Sequence, residues 1–94
     1  MKVHLKIFLP RLPEAIGDNK LDFEFSGATV NDLIESLVKR YGQKAWQALY
    51  DEKGEFDPLV QVLLNGEQWV TRDQLDTALQ NGDDLIFMMM IAGG

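Results

Sequence analysis

Two short segments near the start of the chain alternate between apolar and polar side chains. This period of two is typical of strands with one buried face, and two prolines and the turn sequence Gly17-Asp18-Asn19 separate the segments. The apolar positions are Val3, Leu5 and Ile7 in the first segment and Leu21, Phe23 and Phe25 in the second. We therefore predict an N-terminal hairpin whose strands are joined by a wide loop.

A longer segment repeats its apolar residues at helical spacing. Thr29 is a favourable N-cap residue with Asp32 three positions later, and Gly42 stands where a C-cap glycine is preferred. The apolar positions are Val30, Leu33, Ile34, Leu37, Val38 and Tyr41. The pattern predicts one amphipathic helix ending near Tyr41, and residues 43–50 predict a short second helix.

Three further strands are predicted in the second half of the chain. Residues 59–64 form an almost continuous β-branched and aliphatic run, and Asn65-Gly66 is a strong hairpin signal before residues 67–70. Residues 71–79 predict a turn or two of helix. The last strand, residues 84–91, is apolar on both faces, which is typical of a strand in the middle of a sheet.

The order of these elements predicts an α+β fold in which a mixed five-stranded sheet packs on one main helix, with one or two short helices. If the last strand lies beside the first and parallel to it, the arrangement is the ubiquitin-like β-grasp. A ferredoxin-like sandwich is the alternative, although it normally needs a second long helix that residues 72–80 do not obviously supply. We expect residues 1–91 to form a single β-grasp domain and residues 92–94 a flexible tail.

Composition and charge exclude several classes of function. The 94-residue chain carries a formal charge of −6, which disfavours binding to nucleic acid or to anionic membranes and favours a basic docking surface on any protein partner. The chain has no cysteine, which excludes disulfides, thiolate nucleophiles and Cys-ligated metal sites. The N-terminus does not resemble a signal peptide and no segment has the length of a membrane span, so we expect a cytoplasmic protein.

Catalysis by side chains is poorly supported by the sequence. His4 is the only histidine and has no companion at metal-ligand spacing, so we interpret it as a strand-face residue with a satisfied ring. The acidic residues Asp51, Glu52, Glu55 and Asp57 lack the spacing of a calcium loop and are interpreted as a solvated turn. We expect no metal site.

The last three residues, Ala92-Gly93-Gly94, have no evident structural purpose. No helix cap or turn requires these glycines, and residues without a Cβ can pass through a channel too narrow for side chains. Such a tail can bring the carboxylate of Gly94 to a reacting centre, where ATP-dependent adenylation would make its carbonyl electrophilic. A frayed tail without a function is the alternative.

With these features in place, the chain resembles the MoaD/ThiS sulfur carriers, the group that includes the small subunit of molybdopterin synthase. The resemblance follows the order of elements along nearly the whole chain. It is carried by residues 62–67 (VLLNGE), by residues 79–87 (LQNGDDLIF) and by the terminal Gly93-Gly94. None of these motifs is specific alone, and their order gives the resemblance its strength.

The resemblance implies a function in which catalysis lies in the partners. An E1-like enzyme would use ATP to adenylate Gly94, sulfur transfer would give a thiocarboxylate, and the tail would enter an acceptor such as the large molybdopterin synthase subunit. The chain itself would bind no cofactor, and Ala92 and Gly93 would be recognised as part of the tail. A protein modifier conjugated through Gly94, a sulfur carrier for thiamine biosynthesis and a non-covalent interaction module remain as alternatives.

One departure from the family concerns the residues before the tail. Many members have a proline-containing segment there, whereas this chain has Met88-Met89-Met90-Ile91. Methionine is adaptable and does not stiffen the backbone as proline does. We predict a partner-binding surface formed by Phe87, Met88, Met90 and Ile91, with burial of the methionines in the strand core as the alternative.

Overall fold

The computed structural model describes residues 1–10 and 12–90 and contains all the predicted strands. The strands are β1 (Lys2–Phe8), β2 (Lys20–Glu24), β3 (Val60–Leu64), β4 (Gln68–Val70) and β5 (Asp84–Met89). The helices are α1 (Leu12–Ile16), α2 (Val30–Tyr41) and α3 (Gln43–Leu49), followed by a 3-10 helix, Arg72–Gln74.

The strands form one mixed sheet in the order β2-β1-β5-β3-β4. β5 lies in the centre, parallel to β1 on one side and antiparallel to β3 on the other. A strand with a neighbour on each side lies in the middle of the sheet, where a strand with apolar residues on both faces is expected. The predicted central, parallel placement of the last strand is therefore confirmed, and with it the β-grasp arrangement.

One buried cluster fills the space between the sheet and the helices. Alternate residues of the strands point into it, and the apolar stripe of α2 covers them. The fully buried members include Val3 and Ile7 of β1, Val62 of β3, Phe87 of β5, and Val30, Leu33, Ile34 and Leu37 of α2. Because the helices lie on this side only, the other face of the sheet is left open.

The connection between β1 and β2 differs from the predicted wide loop. It contains the short helix α1, whose first residue, Leu12, is completely buried. Pro13 is compatible with a first helical turn, and the N–H of Gly17 ends the helix with a hydrogen bond of 2.7 Å to the Pro13 carbonyl. Tertiary burial of one leucine thus stabilises a helix that is too short to show a helical repeat. The helix predicted in residues 71–79 is shorter than expected and spans only three residues.

The N-terminus of α2 has the predicted cap. The Thr29 hydroxyl accepts a hydrogen bond from the N–H of Asp32, and the Asp32 carboxylate accepts one from the N–H of Thr29. The N–H of Ala28 donates to the same carboxylate, and these backbone hydrogen bonds lower the pKa of Asp32. A lowered pKa means that this stabilisation is present above the ordinary carboxyl pKa and is lost as the pH falls through the lowered value.

Replacement of Thr29 by alanine should lower the free energy of unfolding by about 1 kcal/mol, because the N–H of Asp32 loses the hydroxyl that accepts its hydrogen bond. Ser36→Ala is the matched control. It removes a hydroxyl from the same helix, but one that donates to the Asp32 carbonyl, a bond that adds little to helix stability. Urea denaturation should separate the two variants, and equal losses would contradict the role of the cap.

The hairpin between β3 and β4 forms as the Asn65-Gly66 pair predicts. Both residues adopt positive φ angles, of 53° and 70°, which glycine and asparagine tolerate best. The Asn65 side chain is also fixed, since its Oδ1 accepts a hydrogen bond of 2.9 Å from the N–H of Asp84. The turn therefore holds the start of β5 in register with the β3–β4 hairpin.

Candidate functional site

The structure describes the base of the predicted tail. β5 ends at Met89, and the N–H of Met90 donates a hydrogen bond of 2.7 Å to the Leu59 carbonyl. The chain is thus held against the sheet as far as Met90. The remaining predicted site residues, Ile91 of the partner surface and Ala92, Gly93 and Gly94 of the tail, lie outside the described residues.

Apolar side chains cluster on the open face of the sheet near this point. Phe8 pairs in register with Met88, Ile86 with Leu63, and Leu63 with Trp69, so the cluster crosses four neighbouring strands. We call this set the apolar patch; it consists of Phe8, Leu59, Leu63, Trp69, Ile86, Met88 and Met90. Phe8 is 56% exposed, and Trp69 and Met90 are each 49% exposed. An exposed cluster of this kind is typical of a protein-binding surface.

The structure shows how exposed the residues of the predicted partner surface are, and binding by that surface stays a prediction. Met90 is exposed and Met88 is half-buried on the open face, as a docking surface requires. The inclusion of Phe87 in this surface is wrong, because Phe87 is completely buried in the core. The physical reason is the alternation along β5, which points Phe87 toward the helices and Met88 away from them. Met89 is the methionine that packs against the core.

Sequence reasoning missed Phe8, Leu59, Leu63 and Trp69 as members of this surface. One signal was available for Phe8, because it lies on the face of β1 whose other residues, Lys2, His4 and Lys6, are polar. An aromatic residue in a polar register indicates a binding surface. No such signal existed for Trp69, because its place beside Leu63 depends on strand pairing.

His4 lies on the open face and has a hydrogen-bond partner. Its Nδ1 donates to Oδ1 of Asp22 on the neighbouring strand at 2.6 Å, and both side chains are about half exposed. This hydrogen bond lowers the pKa of Asp22. The interpretation of His4 as a strand-face residue with a satisfied ring is confirmed.

The acidic run is a solvated turn, as predicted. Oδ1 of Asp51 accepts hydrogen bonds from the N–H groups of Lys53 and Glu55, which fixes the turn locally. Within residues 1–10 and 12–90, no group of three or more His, Asp or Glu side chains is arranged to hold a metal ion. No helix in this part of the chain is long and apolar enough to cross a membrane.

Comparison with known proteins identifies relatives over nearly the whole length. The model of the ThiS family matches residues 8–94. Small archaeal modifier protein 3 of Haloferax volcanii is 34% identical over 95 aligned residues, which cover 100% of both chains. A candidate sulfur carrier protein of Archaeoglobus fulgidus is 29% identical over 84 residues, covering 89% of this chain and 94% of the relative.

A solved structure supports the fold independently. The structure of a candidate molybdopterin converting factor, subunit 1, from Pyrococcus furiosus superposes with a TM-score of 0.70 at 29% identity. The match covers 97% of this chain and 99% of the other. The two chains therefore share their fold.

Proposed function

The chain belongs to the ThiS family of ubiquitin-like sulfur carriers, and from this premise we propose that the carboxylate of Gly94 is its working group. In this proposal Gly94 is converted to a thiocarboxylate that donates sulfur in the biosynthesis of molybdopterin. The observation that carries the proposal is the match of the family model through residue 94.

The proposed chemistry has two steps. First, the Gly94 carboxylate attacks the α-phosphate of ATP on an E1-like enzyme, which gives an acyl-adenylate and releases pyrophosphate. Second, hydrosulfide attacks the activated carbonyl and AMP leaves with one of the former carboxylate oxygens. Sulfur thereby replaces that oxygen, and the thioacid loses its proton to solvent to give the thiocarboxylate. The chain itself binds no cofactor in this scheme, and ATP is consumed by the partner.

The geometry of the sheet supports this role. β5 is hydrogen-bonded on both sides, and the chain leaves it beside the apolar patch. An enzyme that covers the patch therefore also meets the start of the tail. Docking on a rigid sheet would position the terminal carboxylate while the partner supplies the catalytic groups.

The acceptor in the proposed scheme is the large subunit of a molybdopterin synthase. The likeness to the Pyrococcus furiosus protein supports this choice over thiamine biosynthesis. We place the reaction in the cytoplasm. A purified synthase large subunit that takes sulfur from the loaded chain would support the molybdopterin pathway, whereas transfer only to a thiazole-forming enzyme would favour thiamine.

Protein modification is the second candidate function, and the full-length similarity to small archaeal modifier protein 3 favours it. Both functions begin with the same adenylate and differ in the nucleophile that attacks it. An amine of a target lysine would give an isopeptide bond. Branched peptides in which the C-terminal segment of this chain is joined through Gly94 to a target lysine, found by mass spectrometry of digested cellular proteins, would indicate conjugation. Their absence beside a detectable thiocarboxylate would indicate sulfur delivery.

The direct test of the proposed function is intact-mass measurement. The chain is incubated with the E1-like enzyme of the same organism, ATP and a sulfur donor. Loading should raise the mass by the difference between a sulfur and an oxygen atom, and omission of ATP should prevent the change. An unchanged mass with an enzyme that adenylates another carrier would refute the proposal.

The apolar patch provides a second test. Phe8→Ala should weaken binding to the activating enzyme about tenfold, because an exposed aromatic residue that becomes buried in an interface contributes strongly to affinity. Trp46→Ala is the matched control, since Trp46 is also exposed but belongs to α3, away from the open face. Titration calorimetry measures both variants. Equal losses, or none for Phe8→Ala, would remove the patch from the interface.

A further inference from the structure

Two lysines face each other across the open side of the sheet. Lys6 of β1 and Lys20 of β2 are direct partners in the antiparallel register, and both are exposed. Neither forms an ion pair within residues 1–10 and 12–90. Like charges directly opposite one another destabilise a strand pair, so this arrangement weakens the isolated domain.

The acidic groups around this lysine pair have other hydrogen-bond partners. Oδ1 of Asp22 accepts from His4, and Oδ1 of Asp18 accepts from the N–H groups of Asn19 and Lys20. Asp84 lies one strand away, opposite His4 rather than opposite a lysine. The positive charge of the pair is therefore not neutralised by a direct ion pair with any of these carboxylates.

The lysine pair borders the apolar patch. Lys6 lies between Lys20 on β2 and Ile86 on β5, and all three line a depression of about 440 Å³. The carboxylates of Asp22, which is hydrogen-bonded to His4, and of Asp84 also line it. A ligand that enters the depression meets the ammonium groups of Lys6 and Lys20 and the aliphatic side chain of Ile86. This combination fits a carboxylate side chain carried by a protein that also covers Ile86 and Phe8. A free phosphate would leave the apolar surface uncovered.

We propose that Lys6 and Lys20 bind an acidic side chain of the protein partner that docks on the apolar patch. This inference rests on the proposed function, in which that partner is the E1-like activating enzyme. The net charge of −6 predicts a basic surface on the partner, but on this face of the sheet we expect an acidic one. The lysine pair determines the charge expected on the partner because it lies next to the apolar patch, whereas distant surface charges are screened by salt.

Lys20→Glu tests the inference because stability and binding should change in opposite directions. A glutamate opposite Lys6 replaces a repulsive cross-strand pair with an attractive one, so the melting temperature should rise by about 1 to 5 °C. Affinity for the purified activating enzyme should fall about tenfold at low salt, and the difference should shrink as salt is added. General damage to the fold would lower both quantities.

Lys44→Glu is the matched control, because it makes the same change of charge at an exposed position of α3, outside the open face. Its affinity should stay within about twofold of the wild type. If Lys20→Glu and Lys44→Glu weaken binding equally, or if neither does, Lys6 and Lys20 are solvated surface lysines and the inference is wrong.

The remaining outcomes separate this inference from the proposed function. A wild-type chain that is loaded with sulfur, together with unchanged binding by Lys20→Glu, overturns the inference alone. A wild-type chain that is not adenylated overturns both. Sedimentation equilibrium covers self-association: a wild-type dimer that Lys20→Glu dissociates would assign the open face to a second copy of the chain and overturn the proposed acidic partner.

Discussion

A chain shortened by Gly93 and Gly94 is expected to lose sulfur loading completely while its thermal unfolding stays unchanged. The reacting carboxylate would then belong to Ala92, two residues nearer to the sheet, and would not reach the α-phosphate of ATP in the partner. Misplacement by even about 1 Å can cost about 100-fold in rate, so a shift of two residues leaves no measurable product. Intact-mass measurement after incubation with the activating enzyme, ATP and a sulfur donor detects the loss.

The shortened chain also has an internal control. Its apolar patch is intact, so it should still bind the activating enzyme and compete with the full-length chain. Competition without loading separates binding from chemistry. Retained sulfur transfer in the cell by the shortened chain would refute every mechanism that acts through Gly94.

Phe87→Ala is expected to lower the free energy of unfolding by about 3 to 5 kcal/mol. Phe87 is completely buried in the central strand, and truncation of a buried phenylalanine removes its transfer free energy and leaves a cavity. This loss is a large part of the total stability of a domain of this size. Urea denaturation of the purified variant measures the change.

Met90→Ala is the matched control on the other side of the same segment. Met90 is 49% exposed, so its truncation should change the free energy of unfolding by less than about 0.5 kcal/mol. Its effect should appear in binding to the activating enzyme instead. Similar losses of stability in the two variants would show that the division of residues 84–90 into a core face and a docking face is wrong.

The elements that the sequence predicted well are those that depend on local patterns. The helical repeat and cap of α2, the alternation in β1 and the Asn65-Gly66 turn each lie within a few consecutive residues. The central position of β5 followed from its two apolar faces. The β-grasp architecture could therefore be predicted from the sequence.

The features that escaped prediction depend on tertiary structure. α1 is stabilised by the burial of Leu12, which no local repeat reveals. Phe87 was assigned to the partner surface because both faces of β5 are apolar, and only the position of the helices tells which face is covered. The pairing of Lys6 with Lys20 depends on the register across the β1–β2 connection. The predictions for residues 91–94 lie outside the described residues and stay predictions.

The hydrogen bonds of β5 and Met90 to the sheet also limit how far the carboxylate of Gly94 can extend from it. Fraying Met90 breaks its hydrogen bond to the Leu59 carbonyl, and fraying back to Met88 breaks the pairing with both β1 and β3. The usable length is therefore the four residues after Met90, which span at most about 14 Å when fully extended. Any enzyme that reacts with Gly94 must therefore place its reactive centre within about 14 Å of Met90.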